Sequence, residues 1–332
     1  MSRFWKTVLL AAVIVGGLWA LVNRDKIDNP ELLLNHISNQ LKDLKDFSLA
    51  NFLVLGDPPT DLGEPYIKEP AIRVAGFELN GFGGRKEDEQ VLSLLADICR
   101  RFDVIALRGL GIEAEFWLAR LAATIEAKVP GMEYFYITDA DPSAGQESIS
   151  AILFNASTVE LDQLNWYTAQ DPQQLMRRAP LVGWFRTRVA NRDRAFTFTL
   201  VNAELKATLA EQELIHLREL FRSIRNDGRL EDDVILVGDF GHWNQAEART
   251  ERTFGLAWVI PNLPTDLLHT RQDQNIILNP MATTEYTGRS GVLDFLRGFN
   301  LRLEEAQQLS DQLPVWAEFS IYEGGPLEPF HP

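Results

Sequence analysis

The chain has 332 residues, 45% hydrophobic and 24% charged, which excludes a disordered or fibrous protein and leaves room for one large domain or two small ones. Its 47 acidic residues against 32 basic ones give a formal charge of −15, which argues against a nucleic-acid partner, because phosphate neutralisation supplies most non-specific affinity. The single cysteine, Cys99, excludes an internal disulfide, a C-x-x-C pair and any multi-cysteine metal site, and its place on an apolar helical stripe reads as a small buried hydrophobe.

In chain order, Thr7–Val22 (TVLLAAVIVGGLWALV) is uncharged and mostly apolar, with Arg3 and Lys6 before it and Arg24, Asp25 and Lys26 after it. Spanning a bilayer takes about 20 apolar residues, with roughly 17 as the lower limit, so the flanking basic residues must snorkel. Trp5 and Trp19 sit where interfacial aromatics belong, and no clear A-x-A cleavage site follows. Residues 1–28 therefore read as an uncleaved signal anchor; a cleaved signal peptide and a buried core helix are the rivals. The basic residues tie across the span, so the amino terminus alone tips the topology toward a body outside the cytoplasm.

Residues 29–70 read as a helical stalk and a linker. Pro30 suits a first helical position, Leu33, Ile37, Leu41 and Leu44 keep helical spacing, and residues 56–70 carry four prolines. The domain proper is expected over 71–322, with a tail at 323–332. Strands are predicted at Ile72–Phe77, Asp103–Leu107, Ser150–Phe154, Val182–Val189, Ala195–Val201, Asp233–Val237 and Val315–Ile321, and a Gly-rich turn at 81–84. Helices are predicted at Lys86–Phe102, Glu113–Lys128 and Leu209–Arg225. This alternation suggests an α/β sandwich.

H-E-x-x-H, Walker A and G-x-S-x-G motifs are absent; Gly288-Arg289-Ser290-Gly291 only approximates the last. No two of the five histidines have metal-ligand spacing. What remains is a set of aspartates at strand ends: Asp239 after VILVG, Asp294 after SGVL, and Asp311 in LSDQLPV.

The phrases RVAGFELNGFGG, DVIALRG, RRAPLVGWF, TLVNAEL, ILVGDFG, GVLDFL and LSDQLPV occur in the order of the blocks of the endonuclease/exonuclease/phosphatase superfamily, which the chain resembles over residues 71–322. The resemblance implies a DNase I-like four-layer α/β sandwich, with two packed β-sheets and helices outside. It also implies phosphoester hydrolysis with a divalent cation, usually magnesium. The family's residues carry over poorly. Its first-block asparagine falls on Glu78, and its Gln-Glu pair, whose glutamate binds the metal, falls on Arg108-Gly109. The R-x-P arginine matches Arg178, and the histidine after the central strand falls on Glu204. G-D-F-N reads Gly238-Asp239-Phe240-Gly241, the later aspartate matches Asp294, and S-D-H reads Ser310-Asp311-Gln312.

Asp239, Asp294, Asp311 and Arg178 are thus remnants of the family site, while Gly109, Glu204, Gly241 and Gln312 occupy lost positions. Losing a positioned general base costs typically about 10²–10⁴-fold, and Gln312 cannot take a proton near neutral pH. With the apolar Thr7–Val22 segment as anchor, the chain therefore reads as a membrane-anchored domain of this type that has lost hydrolysis and binds a protein or a phosphorylated ligand. Two alternatives stand beside it: a divalent-metal-dependent phosphodiesterase with a rebuilt acidic site, in which His242 supplies a base, and a structural envelope protein. Glu78, Glu204, Asp239, Asp294 and Asp311 are expected to converge on one cleft. There Glu78, Glu204, Asp239 and Asp311 would hold magnesium, manganese or calcium, with Arg178, helped by Arg108, as counter-charge.

Overall fold

The computed structural model describes residues 70–83, 89–139, 148–169, 176–205, 219–229, 231–241, 255–260 and 262–324. All of them fall in the second of two compact units, Gly63–Pro332. The apolar run Thr7–Val22, the stalk, the linker up to residue 69, the first part of the helix expected at Leu209–Arg225, and His242 lie outside the described residues. Among the described residues, no helix is long and apolar enough to cross a membrane.

Two mixed β-sheets form the domain. The first contains β1 (Ala71–Phe82), β2 (Val104–Leu110), β3 (Tyr134–Thr138), β4 (Ile149–Asn155), β12 (Tyr286–Val292) and β13 (Val315–Ser320), in the order β12-β13-β1-β2-β4-β3. The second contains β5 (Val159–Leu161), β6 (Tyr167–Thr168), β7 (Met176–Thr187), β8 (Thr197–Leu205), β9 (Val234–Asp239), β10 (Ala257–Trp258) and β11 (Gln274–Leu278). Its order is β10-β11-β9-β8-β7-β5, with β6 on β7. Each sheet has one parallel pair near its centre, β1 with β2 and β8 with β9; every other pairing is antiparallel.

Side-chain alternation along a strand divides each apolar set between two faces. Ile72, Val74, Val104 and Ala106 of the first sheet meet Leu200, Ile235, Val237 and Ile276 of the second. Phe154, Phe185, Phe198, Phe196 and Phe319 run through this layer with successive ring centroids 5.5, 5.5, 5.0 and 5.9 Å apart. Such pairs contribute roughly 0.5–1.5 kcal/mol each beyond their burial. On the outer face of the first sheet, Phe77, Leu79, Ile105 and Leu107 pack against α1 (Glu89–Cys99) and α2 (Ala114–Lys128). Cys99 lies fully buried there, and that burial raises its thiol pKa. On the outer face of the second sheet, Val201, Ala203, Val234 and Leu236 pack against Leu220, Phe221 and Ile224 of the helical residues 219–225.

The seven predicted strands each coincide with an observed one, with shifted ends. The first is much longer than expected: β1 continues beyond Phe77 to Phe82, rejoining β2 after a register break between Glu78 and Phe82. Two residues of the glycine-rich stretch read as a turn, Gly81 and Phe82, therefore belong to the strand. The edge strands β3, β5, β10 and β12, the short β6 and the inner strand β11 carry too little alternation to have been read.

Candidate functional site

The sandwich interior turns polar at the carboxyl ends of the two parallel pairs. Inward positions read Ile72, Val74, Gly76, Glu78 along β1 and Val104, Ala106, Arg108 along β2. In the second sheet they read Phe198, Leu200, Asn202, Glu204 along β8 and Ile235, Val237, Asp239 along β9. The strand registers set Glu78 opposite Arg108, Glu204 opposite Asp239, and Gln274 opposite Asp239.

Arg108 occupies the centre of this layer. It is 1% exposed and is the largest fully buried side chain. Its Nη1 donates to Asn202 Oδ1 at 3.1 Å and its Nη2 to Gln274 Oε1 at 2.7 Å. Asn202 in turn donates across the sheets to the Leu107 and Ala151 carbonyls at 2.9 and 3.2 Å. Gly76 leaves the room this requires: a Cβ there would come within 2.3 Å of Val237 Cγ1 and 3.5 Å of Arg108 Nη1. Both amide partners are neutral, so the guanidinium charge is balanced by carboxylates rather than by its own hydrogen bonds.

Asp239 is one of them. Burial raises its pKa; the Gly241 N–H, which donates to Oδ1 at 2.8 Å, and then the charge of Arg108 pull it back, while Asp273 and Glu204 push it up again. Glu204, Asp239 and Asp273 therefore share one field with Arg108. Asp273 was not apparent in the sequence, because it reaches this place only through the antiparallel pairing of β11 on β9. Gln312, at the position of the lost histidine, donates to Asp273 Oδ2 at 3.2 Å rather than to Asp311.

The other expected members are committed elsewhere. Asp294 caps α3 (Phe295–Gly298), accepting from the Arg297 N–H at 3.0 Å, and its Oδ2 lies 3.2 Å from His269 Nε2 and 3.3 Å from Arg297 Nε. Asp311 is exposed and accepts from Asn80 and from Gln307, the latter at the end of α4 (Leu303–Gln307). Arg178 clamps Asp139 Oδ2 through Nη2 at 2.9 Å and Nε at 3.2 Å, so Arg108 and not Arg178 supplies the counter-charge of the cleft. The expected five-carboxylate convergence is thus replaced by a smaller set with a guanidinium inside it.

Gly109 changes the meaning of the missing metal glutamate. It has φ +66°, sits where the β2–β4 register breaks, and a Cβ there would come 2.2 Å from the Leu79 carbonyl oxygen. No side chain of any kind fits. A divalent cation in this cleft would lack that ligand and would lie against the Arg108 guanidinium. The residues of the cleft do not fit the cation that the family site requires. Among the described residues, the acidic groups whose oxygens all lie within 4.8 Å of one another are Glu231, Asp232 and Asp233, and Asp233, Glu285 and Glu323. Neither includes Glu78, Glu204, Asp239 or Asp311.

No family model matches the chain. Among sequence relatives, deoxyribonuclease gamma of Mus musculus is 22% identical over 277 residues, covering 76% of this chain and 84% of the relative. Deoxyribonuclease-1-like 1 of Chlorocebus aethiops is 25% identical over 258 residues, covering 73% and 82%. An endonuclease/exonuclease/phosphatase family protein from Bacteroides thetaiotaomicron superposes with a TM-score of 0.47 at 13% identity, covering 75% of this chain and 94% of that one.

Proposed function

We propose that the chain is a member of the DNase I-like endonuclease/exonuclease/phosphatase superfamily, as its similarity to deoxyribonucleases supports, and that its domain is a binding module that has exchanged the family's cation for a built-in guanidinium. The observation that carries this reading is Arg108, sealed between the sheets by Asn202 and Gln274 beside Asp239. Phosphoester hydrolysis needs a cation on the phosphoryl oxygens and an activated water. Arg108 supplies fixed positive charge but activates no water, and Gln312 offers no base. The carboxylates Glu204, Asp239 and Asp273 repel phosphate, so a protein partner fits the cleft better than a phosphorylated ligand or a nucleic acid. The Thr7–Val22 segment would tether the domain to a membrane.

The test is hydrolysis of bis-p-nitrophenyl phosphate and nicking of plasmid DNA by the full-length protein with magnesium or manganese. The expected rate equals that of Asp239→Ala. Cleavage that Asp239→Ala abolishes would replace this reading with a rebuilt, metal-dependent phosphodiesterase, the activity class of the deoxyribonuclease relatives. The tether has its own test: the full-length protein should resist carbonate extraction from membranes, and mature protein beginning after residue 22 would refute it.

A further inference from the structure

The outer face of the first sheet carries a concentration of positive charge that the proposed cleft does not use. Arg73 on β1 and Arg289 on β12 both pair with Glu318 of β13, Arg73 through Nε at 3.6 Å. Arg100 and Arg101 directly follow α1 and lie beside Arg73. Arg100 Nε pairs with Asp97 Oδ1 at 3.0 Å, and Lys128, at the end of α2, takes the other oxygen of that carboxylate at 2.6 Å. Five cations thus share two carboxylates, in a chain whose formal charge is −15. Burial pushes the nearby Asp103 carboxyl up, and its Oδ2 accepts from the Arg73 backbone N–H at 2.8 Å rather than from a guanidinium.

Arg101 shows the excess most clearly. Among the described residues no carboxylate forms an ion pair with it, and its Nε is buried without a hydrogen-bond partner. Burial, and then the charge of Arg100, lower its pKa; Asp97 raises it and Arg73 lowers it again. Its guanidinium lies over the Phe299 ring at 5.5 Å, as that of Arg73 lies over Trp316 at 5.1 Å. A guanidinium stacked on a ring is fixed through one face and keeps its N–H edge for an anion. The side chains of Arg73, Arg100 and Arg289 are 43, 37 and 51% exposed, so the patch meets solvent.

The place of the patch in the fold points to the kind of anion. Arg73 lies near the amino end of β1, three residues after Pro70, and the Arg108 cleft lies at the carboxyl ends of the central strands. The residues before Pro70 include the Thr7–Val22 segment proposed above as a tether, so the chain enters the domain beside the patch and away from the cleft. Anionic headgroups attract basic side chains close to their surface, by roughly fivefold in affinity for each one. A nucleic acid fits less well, because a long polyanion would run on over a chain of charge −15.

We propose that Arg73, Arg100, Arg101 and Arg289 dock the domain on an anionic lipid surface, with the Arg108 cleft turned away from the bilayer. Docking rests on the proposed tether for delivery to the membrane and on the patch alone for orientation.

The test is energy transfer from the domain to a headgroup dye in vesicles holding the full-length protein. Met281→Cys supplies the donor site, because Met281 is exposed and the native thiol of Cys99 is buried. Strand β11 runs antiparallel to β9 and brings Met281 to the end of the sandwich opposite the cleft. Transfer should rise when phosphatidylglycerol is added to phosphatidylcholine and fall back in high salt, as screening requires. Arg100→Gln with Arg101→Gln should lower the ratio of docked to free domain about 30-fold, and Arg289→Gln alone, at a different place in the fold, about fivefold. Flotation with phosphatidylcholine alone reports the tether separately; if the tether fails, the patch still predicts salt-sensitive binding that needs phosphatidylglycerol. No response to phosphatidylglycerol, or a response that survives in high salt or in both variants, would overturn the docking. Retention on a DNA fragment that the double variant loses, with no phosphatidylglycerol response, would assign the patch to nucleic acid instead.

Discussion

Strand β9 joins two acidic regions that answer the same electrostatic problem differently. At its carboxyl end, Glu204, Asp239 and Asp273 share a field with the Arg108 guanidinium. At its amino end, Asp233 and Glu285 are as deeply buried and have no cationic side chain paired with them among the described residues. Buried like charges cannot all ionise uncompensated. One end contains its cation as a covalent part of the chain. The other must borrow a cation or hold a proton. A surviving acidic cleft is therefore weak evidence for metal.

The largest effect should come from removing the built-in charge. Arg108→Ala strands Asn202 and Gln274 and leaves Asp239 without its counter-charge; breaking a buried pair this way costs about 3–5 kcal/mol. Chemical denaturation should register it, and a loss under about 1 kcal/mol would show that the guanidinium is not the keystone of the layer. Gly109→Glu, the reversion toward the family's metal ligand, should cost about 1–3 kcal/mol from its left-handed backbone alone, with overlap on the Leu79 carbonyl added. A folded, stable Gly109→Glu protein that cleaves phosphodiesters would refute the account of that position.

The amino end should respond to pH through Asp233. Burial first, and then Glu285, push the Asp233 carboxyl up to about 8. A carboxyl whose pKa is raised on folding binds its proton more tightly in the folded state, so its contribution is favourable at low pH and is lost as pH rises from about 4 toward 8. In EDTA the melting temperature should fall between pH 5 and pH 8, and Asp233→Asn should flatten that slope. A slope unchanged in Asp233→Asn would place the titrating group elsewhere. The smallest effect is expected at Asp294, which caps α3: Asp294→Ala should cost about 1 kcal/mol and leave the pH slope unchanged.

These differences also mark what could be read from the sequence. The blocks VIALRG, TLVNAEL and ILVGDF announced buried strands because consecutive apolar runs leave few other options. Their order carried the family, and the sequence relatives agree with it. Arg108 and Gly109 were visible only as a lost Gln-Glu pair; that the arginine turns inward to replace what the glutamate held depends on the strand's alternation and on Gly76 opposite. Asp273 and Gln274 enter the cleft through strand pairing, which local pattern does not encode. Asp233, Glu285 and Glu323 are far apart in the chain, and the acidic run Glu231-Asp232-Asp233 before a buried strand was their one local trace. Asp294 was placed in the cleft because a strand-end aspartate that caps a helix looks the same in sequence as one that holds a cation, and Asp311 because its bonds to Asn80 and Gln307 leave no local trace.

Anomalous diffraction from crystals soaked in manganese tests the exchange of cation for guanidinium most directly. The account predicts no anomalous peak beside Asp239, with Arg108 still held by Asn202 and Gln274. A peak coordinated by Asp239 and Glu204, with Arg108 displaced from Asn202 and Gln274, would contradict it.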